Sequence, residues 1–372
     1  MEDLVRYTLP NGDEFGVQRV HTDGRRCLFI SDIHGEAELL LQLLDESEFC
    51  SDDLLFILGD ICEKGTDSLK TLRCVMDLCA RGNVFALQGN CDVWNRELNP
   101  ARSTPWLGAY LAFRSKNLVA DMCREQGIQL DANTDLDAMK RQLWQTCQPE
   151  LHFLDTLPRI IETDRALLVH ASIQQETPPW TDNAHALVKF DDWAEKAPAF
   201  RRWIICGHTP VINYCNTICD CKPLIDSKKH IISIDGGNVI NRWGQLNALV
   251  VQGSHLENHA VDRLPFCRAT GRQESDQIPV TTNWFHAGVE ILKEQGDHVI
   301  CRHLDSGRIL TVPAAKLYRR KGDTQLRVDT WTDYLLPVEP GDLLKLCETD
   351  GEWCICKKDG VIGQVRRDLL VL

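Results

Sequence analysis

No apolar run in this chain of 372 residues approaches the ~20 residues that a membrane-spanning helix needs. Its first residues, Met1-Glu2-Asp3, lack the basic and apolar regions of a secretory signal. Positive charge is in deficit as well, and the formal net charge of −13 argues against binding duplex nucleic acid by neutralising its phosphates. Cysteine is plentiful at 17, but the residues are scattered through apolar runs (Cys27, Cys74, Cys79, Cys206, Cys301) and make no short disulfide framework. Free thiols of that kind behave as small core hydrophobes, so a cytoplasmic location is expected. Cys215, Cys219 and Cys221 cluster without the paired Cys-x-x-Cys spacing of a zinc ribbon and read as a surface loop.

The length suits two or three domains, and 43% hydrophobic with 26% charged residues is ordinary for a globular chain with a full core. One arrangement recurs within it. Residues 27–35 run from an apolar strand into Asp32 and His34, two metal-ligand types separated by one residue, and a Leu-rich helical pattern follows over 36–45. The apolar stretch 54–58 ends in Gly59-Asp60, and 84–87 leads through Gln88-Gly89 to Asn90. Stretch 167–169 ends in His170, and 203–206 ends in Gly207-His208. Five predicted strands thus deliver Asp, Asp, Asn, His and His at one end, where ligands bind in α/β folds. Oxygen and imidazole donors together suit manganese, iron, zinc or cobalt better than a thiolate-type structural zinc.

Residues 5–8 and 15–20 flank Asn11-Gly12, a hairpin signal. Thr66 or Asp67 can cap a helix carrying Leu69, Leu72, Met76 and Cys79 on one face, closed by Gly82. The β-α-β-α-β order predicts three parallel strands joined by right-handed crossovers. From 101 to 148 the pattern is helical, without a cluster of catalytic residue types, and reads as an insertion over the mouth of the site. Residues 174–189 look like loop; strands at 203–206, 231–234 and 246–251 follow, with Asp235-Gly236-Gly237 between the last two. Past about 259, short apolar runs alternate with Gly296-Asp297, Ser306-Gly307, Asp350-Gly351 and Asp359-Gly360, the pattern of one or two small all-β barrels.

The blocks Asp32-x-His34, Gly59-Asp60, Gly89-Asn90-Cys91-Asp92, Val169-His170 and Gly207-His208-Thr209-Pro210 resemble the signature of the calcineurin-like metallophosphoesterases, and the Ser/Thr phosphoprotein phosphatase branch most. The likeness covers about residues 25–255, and Asp235-Gly236-Gly237 fits its late strand. It implies an α/β fold, a metallophosphoesterase β-sandwich flanked by helices. Segment 341–365 resembles a bacterial SH3-like repeat, so small C-terminal all-β SH3-like barrels are expected. The expected domains are 1–258, catalytic with the 101–148 insertion, then a small β domain at 259–325 and an SH3-like barrel at 326–372.

The resemblance also assigns roles. Asp32 and His34 hold a first divalent metal, Asp60 bridges to a second, and Asn90, His170 and His208 complete that second site. Manganese is the expected ion, with iron, zinc and cobalt as alternatives. The resemblance implies in-line attack on phosphorus by a metal-bridging hydroxide, without a phosphoenzyme. Two departures stand out. The family's protonating His after the Asn is Cys91 here, with Asp92 as the orienting acid; a thiol is a weak donor without positive charge, which tells against phosphoserine. Lys64 replaces the branch's Arg as the substrate-facing cation, with Glu63 placed to pair with it, and Lys64 and Asn90 are the expected substrate contacts. The implied substrate is a phosphorylated protein or a small phosphoester, and the C-terminal barrel suits a peptide or protein partner. The rival readings are a phosphodiesterase, a dinucleoside-polyphosphate hydrolase, or a non-catalytic binding module.

Overall fold

A computed structural model of the protein describes residues 4–275 and 278–372. The chain forms two compact units: the first runs to Thr209 and resumes over Pro223–Asp262, and the second consists of Pro210–Lys222 with Arg263–Leu372.

In the first unit β1 (Leu4–Thr8) and β2 (Glu14–Val20) form the expected hairpin, with Gly12 at φ 90° in the turn. The strands β3 (Cys27–Ile30), β4 (Leu54–Ile57) and β5 (Val84–Ala86) pair in parallel through the helices α1 (Ala37–Glu46) and α2 (Ser68–Cys79). Every residue of β3 and β4 is buried, because a parallel sheet is covered on both faces and needs apolar side chains on both. Register sets Phe29 beside Phe56 and Phe56 beside Phe85, with ring centroids 5.2 and 5.7 Å apart. Asp67, not Thr66, caps α2 by accepting the Lys70 N–H. Leu40 and Leu43 of α1 are wholly buried, worth about 1.5–3 kcal/mol each.

The strands β6 (Ile160–Thr163), β7 (Ala166–Val169) and β8 (Trp203–Cys206) extend the hairpin into a second sheet. After β9 (Cys219–Asp220), which belongs to the other unit, β10 (Leu224–Asp226) and β11 (Ile231–Ser233) complete the order β1-β2-β6-β7-β8-β11-β10. The strands β12 (Leu246–Gln252) and β13 (His255–Val261) join the first sheet as β13-β12-β3-β4-β5. Phe29, Phe56 and Leu58 of one sheet share a core with Ile161, Leu168 and Ile205 of the other, so the two sheets make a sandwich. On the outer face of the five-stranded sheet, α1 and α2 share a second core with Leu118, Val119, Met122, Leu143 and Leu154, from three helices that the segment after β5 contributes.

Among its described residues the second unit is all β apart from 3-10 turns. One core holds Cys267, Leu344, Cys354, Cys356 and Val365, and another holds Val280, Val289, Val299, Leu310 and Trp331. The two interleave along the chain, since Phe266–Ala269 pairs with Leu343–Asp350 across the whole of the other core's sequence. Asp359-Gly360, at φ 49° and 82°, makes the tight turn between Trp353–Lys358 and Val361–Arg366, as its sequence predicts. The last of these strands also pairs with Cys219–Asp220.

Candidate metal centre

The chain turns sharply after β3, β4 and β8. Asp32, His34, Asp60 and His208 all lie in the left-handed region, at φ 56°, 51°, 51° and 67°. Each such non-glycine residue costs on the order of 1–3 kcal/mol, and strain of this kind persists where side chains must point in a set direction. Glycines let the loops approach. A Cβ on Gly89 would lie 2.2 Å from Asp60 Oδ1, and one on Gly207 would lie 1.8 Å from Ser31 Oγ and 2.4 Å from Asp32 Oδ2.

These turns gather the polar side chains into one buried cluster. Asp60 Oδ2 lies 3.8 Å from His34 Nε2, while its Oδ1 lies 3.4 Å from His170 Nε2 and accepts the Cys91 N–H at 2.8 Å. Asp32 Oδ2 accepts the His208 N–H at 2.9 Å and the Ser31 hydroxyl at 2.5 Å. Its Oδ1 faces His34 Nε2 at 3.7 Å and has no hydrogen-bond donor among the described residues. His170 Nδ1 bonds the Leu58 carbonyl at 2.7 Å, and His34 Nδ1 bonds the Cys62 carbonyl at 3.2 Å. A ring nitrogen that donates to a carbonyl leaves the other with a free lone pair directed into the cluster. His170 Nε2 is indeed buried without a hydrogen-bond partner among the described residues.

Asn90 meets His208 across the second half of the cluster. With the amide nitrogen inward it donates to His208 Nδ1 at 2.9 Å and to the Val188 carbonyl at 3.1 Å; the opposite orientation presents its oxygen to a cation. The donor atoms of Asp60, His170 and His208 lie within 4.8 Å of one another, as do those of His34, Asp60 and Cys91. Orphaned lone pairs on Asp32 and His170, in a cluster of carboxylate and imidazole donors, fit a divalent cation and leave little other use for those atoms.

Electrostatics point the same way. Burial, with the Lys64 ammonium alongside, lowers the His34 imidazole to a pKa of about 4. Burial opposes ionisation of Asp60, but His170, His34 and Lys64 outweigh it and hold the carboxyl below its ordinary range. Burial likewise depresses His208, against a hydrogen bond to Asp191.

Around the cluster, Lys64 Nζ sits 3.1 Å from His34 Nε2 and 3.9 Å from Asp60 Oδ2. Glu63 does not pair with it. Both residues are left-handed, at φ 76° and 70°, and the Glu63 carboxylate accepts from Trp94 Nε1 at 2.8 Å, from the Leu118 N–H at 3.0 Å and from the Tyr110 hydroxyl. The half-buried Cys91 lies beside Asp60, and burial reinforced by the Asp60 charge lifts its thiol well above the ordinary value. Asp92 serves the main chain: its oxygens accept the N–H groups of Ile61, Cys62 and Gly89 at 3.0, 3.2 and 2.9 Å.

Two neighbours escaped the sequence reading. Lys189 Nζ and Asp191 Oδ1 approach His208 Nε2 to 3.4 and 3.1 Å from a segment without hydrophobic periodicity, and nothing local marked them. Asp235, placed by its sequence on the late strand but given no role there, follows a strand just as Asp32 and Asp60 do.

The calcineurin-like phosphoesterase family matches residues 25–225, more than half of the chain. No curated protein sequence matches it. Among solved structures it is similar to a candidate diadenosine tetraphosphatase at 20% identity, covering 67% of this chain and 99% of that one with a TM-score of 0.41. It is also similar to a Saccharomyces cerevisiae protein serine/threonine phosphatase related to human phosphatase PP5, at 11% identity over 67% and 85% of the two chains with a TM-score of 0.42. A metallophosphoesterase from Sphaerobacter thermophilus shares 17% identity over 64% and 88%, with a TM-score of 0.35. With the family matched along the segment that carries all the strand-end ligand types, this chain belongs to the calcineurin-like phosphoesterases and is a metal-dependent phosphoester hydrolase.

Proposed function

We propose that the centre hydrolyses phosphate monoesters in the manner of a Ser/Thr phosphoprotein phosphatase. In this reading Asp32, His34 and Asp60 hold one divalent cation, and Asp60, Asn90, His170 and His208 hold the other. The observation that carries it is the placement of Asp60, with one oxygen toward His34 and the other toward His170. Such a cation pair supplies Lewis acidity and lowers the pKa of coordinated water enough to provide a nucleophile at neutral pH. Manganese suits the donor set, and so do iron, zinc and cobalt.

The chain's own side chains supply the rest. Burial works against the Lys64 charge, but the Asp60 and Asp32 carboxylates help to hold its pKa above the ordinary lysine value, so the ammonium persists and attracts the phosphoryl oxygens. Asn90 offers its amide to the same group. Cys91 stays a neutral thiol beside the centre, able to donate a weak hydrogen bond to a departing oxygen, while Asp92 holds the loop that carries it.

Cys91 also favours a second reading. A poor proton donor suits leaving groups that are already stable, as in a diester with an aryl or nucleoside group or in a dinucleoside polyphosphate. Turnover of p-nitrophenyl phosphate, bis-p-nitrophenyl phosphate, a phosphoserine peptide and a dinucleoside tetraphosphate under Mn²⁺ separates the two. Monoester preference supports the first reading, and preference for diester or polyphosphate supports the second. Absence of turnover on all four would leave a binding module. The second unit, with its SH3-like sequence, is assigned the capture of a peptide or protein partner, in the cytoplasm.

A further inference from the structure

The segment Asp235-Gly236-Gly237, at the end of β11, has no part in the reading above. β11 pairs in parallel with β8, and the Ile234 N–H continues that pairing to the Cys206 carbonyl at 2.9 Å. Asp235 therefore leaves its strand beside Gly207 and His208, as a polar side chain delivered to that end of the sandwich by a sixth strand. The turn is tied back onto the first ligand loop, because Asn238 Nδ2 donates to the Ile33 carbonyl, between Asp32 and His34, at 2.9 Å.

Asp235 is 1% exposed. Its Oδ1 accepts the Gly237 N–H at 2.8 Å, in the manner of an Asx turn, but its Oδ2 is buried with no hydrogen-bond partner among the described residues. Asp32 Oδ1 is in the same condition, and Asp32 is the charge that acts most strongly on Asp235, with Lys64 and Asp60 also in range. Among the described residues no Lys, Arg or His nitrogen comes within 4.0 Å of the Asp235 carboxylate, and the nearby Lys64 ammonium is directed to His34 and Asp60. Two buried carboxylates close enough to repel, each with an oxygen that no donor satisfies, are costly unless a cation answers both.

We propose that Asp235 belongs to the cation position formed by Asp32, His34 and Asp60, where its free Oδ2 adds a further negative oxygen that strengthens binding of a divalent cation. It acts beside the ligands and is a positioning residue. This role rests on the reading that those three residues hold a cation.

Asp235→Asn isolates the charge, since the amide oxygen keeps the Gly237 hydrogen bond. Calorimetric titration of the cation-free protein with Mn²⁺ should then show one of two binding steps weakened about 10–100-fold, the size usual when a group supporting the ligands is removed. The other step should keep its affinity, and the cation-free unfolding midpoint should not fall. Asp235→Ser, whose hydroxyl can also accept from Gly237, should behave alike, and Asp60→Asn should weaken both steps. If both Asp235 variants bind Mn²⁺ as the wild type does while Asp60→Asn fails, or if both lose cation-free stability, the role is overturned. If the wild type binds no Mn²⁺, or Asp60→Asn binds it normally, the underlying cation assignment fails instead.

Discussion

Glu63 provides the most demanding test of how the centre is held. Its carboxylate is 2% exposed and satisfies three donors, the Trp94 indole, the Leu118 main chain and the Tyr110 hydroxyl. The next residue, Lys64, donates its N–H to the Lys116 carbonyl at 3.0 Å, so the loop after Asp60 is tied to the helical segment at two consecutive positions. Glu63→Ala strands all three donors, at about 1–3 kcal/mol each, and regains part of the cost of burying a carboxylate. Removing one partner of a buried charged network generally costs about 3–5 kcal/mol, so that is the expected net loss. At roughly 2–4 °C per kcal/mol for a domain of this size, the unfolding midpoint should fall by roughly 6–20 °C. Glu63→Gln keeps an acceptor for Trp94 and Leu118, and the Tyr110 hydroxyl can turn to accept; its loss should be about 1–2 kcal/mol. Circular dichroism melts of both variants give the stabilities. Saturation kinetics with p-nitrophenyl phosphate should show KM rising as Lys64 loses its anchor. An alanine variant melting within about 2 °C of the wild type would refute the view that this carboxylate is the anchor.

Other outcomes follow from the same geometry. Gly207→Ala drives a methyl group to 1.8 Å from Ser31 Oγ and 2.4 Å from Asp32 Oδ2, so metal analysis should find depleted cation where the protein still folds. His34, lowered by burial to about 4, binds fewer protons folded than unfolded between about pH 4 and 6.5. Cation-free stability should therefore be lost as pH falls through that window, by at most about 1.4 kcal/mol per unit from this group, and His34→Gln should flatten the slope of urea midpoint against pH. Cys91→His should raise phosphoserine peptide hydrolysis by roughly 10²–10⁴-fold and leave p-nitrophenyl phosphate nearly unchanged, since only the basic leaving oxygen needs an acid; equal effects on both substrates would remove the thiol from that role. A chain ended at Asp262 keeps Cys219 but loses its strand partner Ile362, and limited proteolysis should cut it within Pro210–Lys222.

The ligand-bearing strands were legible because their signal is local. Each apolar run ends on its polar residue within one to four positions, and burial on both faces forces the run to be continuous. Hairpin and cap signals were local in the same way, as Asn11-Gly12 and Asp67 illustrate. What stayed hidden depends on partners far along the chain. Glu63 looked like a companion for Lys64, yet its donors come from Trp94, Tyr110 and Leu118. Asp92 looked like an acid behind Cys91, yet it serves three main-chain N–H groups, two of them in the loop after Asp60. The β cores of the second unit interleave, and no composition shift records that Phe266–Ala269 pairs with Leu343–Asp350.

These hidden contacts explain how four left-handed residues can be held at once. Strain of about 1–3 kcal/mol at each of Asp32, His34, Asp60 and His208 would relax if any loop could move alone. None can. Asp32 receives the His208 N–H, Asp60 receives the Cys91 N–H, Asp92 fastens the Gly89 turn to Ile61 and Cys62, and the Asp235 turn reaches back to Ile33. Each bond joins the end of one strand to the end of another, so the cost is shared across both sheets of the sandwich. Residues that the sequence offers as ligands therefore brace one another before any cation arrives. Loosening one brace should lower cation affinity at positions it never touches.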